Sequence, residues 1–531
     1  MGVRIPMLQQ KVAEAYNLHQ NGDLDAAKRS YEDILQIDPH HVDTLHLLGL
    51  LSHQTGAWID AERFFHSALI VKPDFSQIYG NYAIYLKDQK RPDEALASYL
   101  RALDITPGDL DLNFDVGVFF HDQDRFTEAV SYFDEALKIR DDYAAAHSNR
   151  GASLRELHRY EEANSSFEEA IKIDPSHALA YSNRGYLLKN LSSFEKALVN
   201  YDRALQIDSD LAEAHWNKGV LLLLLGHFSS GWTYYEWRKK TTHKTGERSF
   251  DAPLWLGDEN LSGKRILIHW EQGLGDTIQF CRYIRSLSQS GAHIFFGPQA
   301  PLKALLSSLD ANFQIVDIDD FSMEIDYHCP LLSLPFACKS NLETLPKQTP
   351  YLFADPYLVQ KWRSSLGSGG VKIGICWQGS RSKGDFGRSF PLSHFNIFSQ
   401  IPGIRLISLH KGDGESQLLD LPQGMTVETL GDEFDSGPDA LLDSAAVMKC
   451  CDLIITSDTA VAHLAGALGV DTWLALRLVP DWRWLLDRTD SPWYPTMCLF
   501  RQQAEGDWES VFSEMKKELL LKYSSLNPRL T

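Results

Sequence analysis

AAAHSNRGASLRELHRYEEANSSFEEAIKIDPSH, residues 144–177, is one unit of a pattern that recurs every 34 residues along the first half of the chain. Its eighth residue is small, and the same place is taken by Ala15, Gly49, Ala83, Gly117, Gly151, Gly185 and Gly219. Twelve residues later stands an alanine (Ala27, Ala61, Ala95, Ala129, Ala163, Ala197), and four after that an aromatic ring (Tyr31, Phe65, Tyr99, Phe133, Phe167, Tyr201). Pro39, Pro73, Pro107 and Pro175 close most units, where a residue without an N–H ends a helix. Small residues at these two places let paired helices approach closely, and the ring fills the space against the next unit. Stacked helical hairpins forming an α-solenoid are the expected result.

The seventh unit has Gly231 in place of the alanine and runs into Trp232, Tyr234, Tyr235 and Trp237, a cluster suited to sealing the last hairpin against a second domain. The polar residues 239–250 read as a linker, so the solenoid is expected over 1–238. Two residues before each marker in the later units stand Asn81, Asp115, Asn149, Asn183 and Asn217. That position of a superhelix faces the inner groove, and a carboxamide offers both a donor and an acceptor to a peptide backbone. Asparagine also serves repeats with quite different ligands, and both readings stay open.

The chain has 531 residues, 44% hydrophobic and 23% charged, with a net charge of −20. That length calls for several domains. Acidity spread over both halves argues against a nucleic-acid partner. The seven cysteines form no Cys-x-x-Cys and read as reduced core thiols. No apolar run is long enough to span a bilayer and MGVRIPM has no signal core, which suits a cytoplasmic protein.

From residue 265 short apolar runs alternate with helical segments, as in parallel α/β sheets. Strands are expected at residues 265–270 (RILIHW), 293–296, 372–377 (KIGICW), 406–409, 453–456 and 472–475. They group into two Rossmann-like lobes, 251–367 and 368–531, with ligands at the carboxyl ends of the strands. Three loops lie there. EQGLGD, residues 271–276, has Gly273 and Gly275 for a tight turn and Asp276 at a helix start. WQGSRSKGDFGRSFP, residues 377–391, carries Gln378, Ser380, Arg381, Ser382, Lys383 and Arg388, a set suited to a diphosphate. In SDTAVAHLAGALG, residues 457–469, Asp458 or Thr459 caps a helix whose first amides, from Ala460, form an anion site, with His463 following. A plain helix cap and a solvated basic loop are the structural alternatives.

The first half resembles tetratricopeptide repeats, which present another polypeptide. The three loops together resemble the GT-B glycosyltransferases of the heptosyltransferase-like group, over roughly residues 250–520. The fusion resembles protein O-GlcNAc transferases and bacterial repeat-containing flagellin glycosyltransferases. The resemblance implies an inverting transfer from a nucleotide-sugar donor to a protein acceptor, needing no metal and no other cofactor. It makes Asp276 the general base; His269 and Glu271, in and beside the same loop, are read as substitutes for that role. Gly273, Gly275, Gln378, Ser380, Arg388, Lys411, Asp458, Thr459, Ala460 and His463 are then the donor-side residues. Two other readings stand beside it: a saccharide or lipid-linked acceptor, and a repeat scaffold with an inactive transferase half. The Trp-rich residues 480–495 either shape the donor pocket or clamp the domains.

Overall fold

A computed structural model describes residues 4–241, 248–380 and 387–524. The chain separates into two compact units, Met1–Leu187 and Leu188–Thr531.

The first unit is built of antiparallel helical hairpins. In the unit quoted above, helix Ala144–Glu156 buries Ala146, Gly151 and Leu154, and helix Tyr160–Ile173 buries Ala163, Phe167 and Ala170. The marker glycine works as a seat for the ring. A Cβ on Gly151 would lie 2.8 Å from Phe167, and one on Gly117 2.6 Å from Phe133. Between the two helices the backbone turns left-handed at every 34th residue: Gly22, Gly56, Lys90, Asp124, His158, Ser192 and Gly226 all have positive φ. Only three of these are glycine. The conformation is therefore set by hairpin packing, which overrides a preference of about 1 kcal/mol.

The second unit starts with further helices of the same kind, Phe194–Ile207, Ala212–Leu224 and Phe228–Tyr235, and continues into two parallel sheets. The first sheet contains β1 (Arg265–His269), β2 (His293–Gly297), β3 (Gln314–Ile315) and β4 (Tyr327–Pro330), in the order β3-β2-β1-β4. The second contains β5 (Val371–Cys376), β6 (Ile404–Ser408), β7 (Leu453–Thr456), β8 (Thr472–Leu476) and β9 (Met497–Arg501), in the order β6-β5-β7-β8-β9. The α-solenoid is thus followed by two Rossmann-like lobes. Strand order reverses between β1 and β4 in one sheet and between β5 and β7 in the other. Chains leaving adjacent strands there go to opposite faces and open a crevice at the carboxyl edge. All three loops singled out in the sequence follow β1, β5 and β7, at those switch points.

Within the second unit, the aromatic residues that end the repeats pack against the α/β part. Trp232 donates its indole N–H to the Ser340 carbonyl at 2.9 Å and meets Trp482 edge-on at 5.2 Å. Arg238 is buried and donates to Glu271 at 2.7 Å, Glu236 at 2.7 Å and Ser333 Oγ at 2.8 Å. Three polar partners for one guanidinium compensate its removal from water. All seven cysteines are free thiols; Cys498 is exposed, contrary to a uniform set of core thiols.

Candidate active site at the facing switch points

Past β1, Gln272 takes a left-handed turn and Gly273 begins helix Leu274–Phe280. Asp276 sits three residues in, and its Oδ2 accepts the Gly273 N–H at 2.9 Å. Its other oxygen, Oδ1, is ion-paired with Arg483 of the other lobe. Burial pushes the Asp276 carboxyl above its ordinary value, and Arg483 and the Gly273 amide offset part of that rise.

Gly275 is where the lobes meet. A Cβ there would lie 2.9 Å from His463 Cδ2 and 3.3 Å from Ala460 Cα. Hydrogen in place of a side chain lets the first loop rest against the start of helix Ala460–Ala467. Thr459 occupies that helix's N-cap position with extended backbone, yet its hydroxyl makes no cap hydrogen bond. It stands 3.5 Å from Thr456 Oγ1 and 3.9 Å from Cys376 Sγ. The helix thus starts without a side-chain cap, which leaves the opening amides and the positive dipole end for an anion. Asp458 does not cap it either. Its half-buried carboxyl is pushed up to about 6 by burial and by Asp481, against the pull of Trp484, Arg483 and Arg388.

His463 is buried in the same helix. Its Nδ1 pairs with Tyr494 OH at 2.9 Å and its ring stacks on Trp484 at 5.4 Å. Burial and the nearby arginines lower it to about 3, so it is neutral at physiological pH. It braces the helix start rather than supplying charge. Beside it, the Arg388 guanidinium lies over Gly379: a Cβ there would be 3.0 Å from Arg388 Nη2 and 3.5 Å from Thr459 Cγ2. The cation and the uncapped helix end therefore share one corner. Gln378 turns toward the loop after β6, accepting from Gln417 at 3.4 Å beside left-handed Gly414. Ser380 and Lys411 are exposed. Arg381, Ser382 and Lys383 lie outside the described residues.

The two substitutes for Asp276 are engaged elsewhere. Glu271 is bound by Arg238. His269, at the end of β1, pairs with His328 at 3.3 Å, and burial lowers it to about 3. In the first unit the groove candidates are each half-buried on the first helix of a hairpin. Asn81 Nδ2 is within 2.8 Å of His46 Nε2, and Asn149 donates to its own helix at Ala145. Asp115 is pushed up to about 6, chiefly by burial. Asn217 stands half-buried in the second unit. The sequence reading missed Arg483, Arg238 and Tyr494. The Asp481-Trp482-Arg483 stretch inside the Trp-rich residues 480–495 was the available signal for Arg483. Among the described residues no three His, Cys, Asp or Glu side chains gather as a metal site, and no helix is long and apolar enough to cross a membrane.

Models of the tetratricopeptide repeat match residues 18–83, 76–109 and 108–176, and a TPR repeat model matches residues 190–226. The helical hairpins are tetratricopeptide repeats. Protein FlbA of Caulobacter vibrioides is 26% identical over 314 residues, 54% of this chain and 52% of its own. Human tetratricopeptide repeat protein 7B is 31% identical over 84 residues, 16% of this chain and 10% of its own. The chain thus spans about half the length of the first relative and a tenth of the second. Among solved structures, a tetratricopeptide repeat protein from Parabacteroides merdae is 17% identical with a TM-score of 0.39, over 44% of this chain and 93% of its own. The pilus biogenesis factor PilW is 22% identical with a TM-score of 0.36, over 39% and 96%.

Proposed function

We propose that the protein is a cytoplasmic glycosyltransferase that moves a sugar from a nucleotide-sugar donor to a hydroxyl of a polypeptide held by its repeats. The observation that carries this reading is the meeting of Gly275 with Ala460 and His463, which sets a carboxylate and an uncapped helix start at one crevice. The helix amides and Arg388 would take the donor diphosphate. Asp276 would accept the proton of the acceptor hydroxyl as its oxygen bonds to the anomeric carbon. The bond from that carbon to the phosphate oxygen breaks with inversion, and the nucleoside diphosphate leaves with its charge met by the same cation and amides. The tetratricopeptide repeats support a polypeptide acceptor over a saccharide, because a glycan needs no peptide groove; flagellin is one acceptor that fits.

Thermal unfolding with a panel of nucleotide sugars tests donor binding. A true donor at a hundredfold excess over Kd should stabilise the wild type by about 2.7 kcal/mol. Arg388→Ala should lose most of that gain while melting normally without ligand. No stabilisation by any member of the panel would count against the reading, and sugar found on co-purified glycan rather than protein by mass spectrometry would redirect it to the saccharide acceptor.

A further inference from the structure

Arg483 has no part in the three sequence loops, yet every direction of its side chain is committed. Nη2 binds Asp276, 207 positions away, Nη1 binds Asp481 at 2.8 Å, and Nε donates to Gln279 Oε1 at 2.6 Å. Its faces are covered by Trp482 at 4.4 Å and Phe280 at 5.6 Å, and its side chain is 8% exposed. Trp482 in turn lies against Trp232 at 5.2 Å and Tyr235 at 5.8 Å on the last repeat helix. Arg238, just after that helix, holds Glu271 in the loop of Asp276. The end of the repeats thus packs on Trp482 beside Arg483 and binds Glu271 in the loop of Asp276.

We propose, resting on the transferase reading above, that Arg483 is a positioning residue that fixes the orientation and charge state of the Asp276 carboxylate, and is itself set by the terminal repeat through Trp482. The groups facing Asp276 are Arg483 and Asp481 from the 480s, Glu271 from its own loop, Tyr235 from the repeat helix and neutral His463 against Gly275. Burial and the two carboxylates favour the protonated acid; Arg483 and the Gly273 amide favour the carboxylate. Only the carboxylate can receive a proton from an acceptor hydroxyl. Without Arg483, Asp276 takes up a proton at higher pH and is spent as a base on the acid side.

The test is the pH dependence of nucleoside diphosphate release by the full chain, offered UDP-N-acetylglucosamine, UDP-glucose, GDP-mannose and ADP-heptose, with water taking the glycosyl group in place of the polypeptide hydroxyl and giving its proton to Asp276. In R483Q the acid limb of kcat should move up by about 1–3 pH units, with turnover recovering as pH rises. R483K should leave the limb near the wild-type position and lower kcat, since one ammonium cannot serve three acceptors in a plane. D481N, which removes a facing carboxylate, should move the limb down and serves if R483Q does not fold. A folded R483Q with an unmoved limb, or a D481N limb that does not fall, would overturn the proposal and leave the transferase reading intact. Wild-type protein that turns over none of the four sugars would overturn both, before any variant is compared.

Discussion

Asp276→Asn should lower sugar transfer by about 10²–10⁴-fold, the usual share of a positioned general base. The isosteric amide can still accept the Gly273 N–H through its oxygen, and Arg483 keeps Asp481 and Gln279. The loss of folding stability should therefore stay below the roughly 3–5 kcal/mol of a broken buried ion pair. Donor-induced stabilisation should persist, because the anion corner at Arg388 and Ala460 is unchanged. This separates a missing base from a missing site. Turnover of Asp276→Asn at the wild-type level would remove Asp276 from the mechanism. In the wild type the acid limb should lie above the ordinary aspartate value, since burial raises the Asp276 carboxyl.

Arg238→Met should cost the second unit about 3–5 kcal/mol. The guanidinium stands between Glu236 and Glu271, whose side chains are 13% and 11% exposed, and its removal leaves two carboxylates largely out of water, with only Lys239 and the Ser333 hydroxyl still bound to Glu236. Calorimetry of the full chain should show the transition of the second unit falling while that of residues 1–187 stays in place. The pH sign follows from Glu236. Burial raises its carboxyl, but Arg238 and Lys239 more than offset this and hold it below the ordinary value. Its contribution is present above the unfolded-state value and is lost as pH falls through the folded one. The gap between wild type and Arg238→Met should therefore narrow on acidification. A gap that widens would mean that the carboxylates are not what Arg238 compensates.

The parts legible in the sequence were those where packing repeats or where a strand is buried on both faces. Gly151 and Phe167 recur because each hairpin needs a ring seated on a bare backbone, so period 34 shows through. The cores of β1, β5 and β7 are unbroken apolar runs and were found with their loops. β3 has two residues and β4 contains Tyr327 and His328, so neither carries a pattern of its own; β9 is apolar from Met497 to Phe500 but directly follows the Trp-rich residues 480–495, which hid it. The left-handed position filled by Lys90, Asp124, His158 and Ser192 was hidden because tertiary packing sets it whatever the residue. The site was half visible. Loops betray themselves by glycine and caps, whereas the Arg483–Asp276 pair joins distant positions and no local spacing encodes it. Asp458 shows the limit of local rules: its carboxylate suits a cap, yet the fold gives the cap position to Thr459 and leaves it unused.

Crystals of the full chain grown with UDP, GDP or ADP would test most directly whether these two lobes form a donor site. A diphosphate oxygen should be found within hydrogen-bond distance of the Ala460 amide, with Arg388 against the same phosphate and Asp276 across the crevice. A nucleotide seated away from the Ala460–Ala467 helix start, with Arg388 turned from it, would contradict the account.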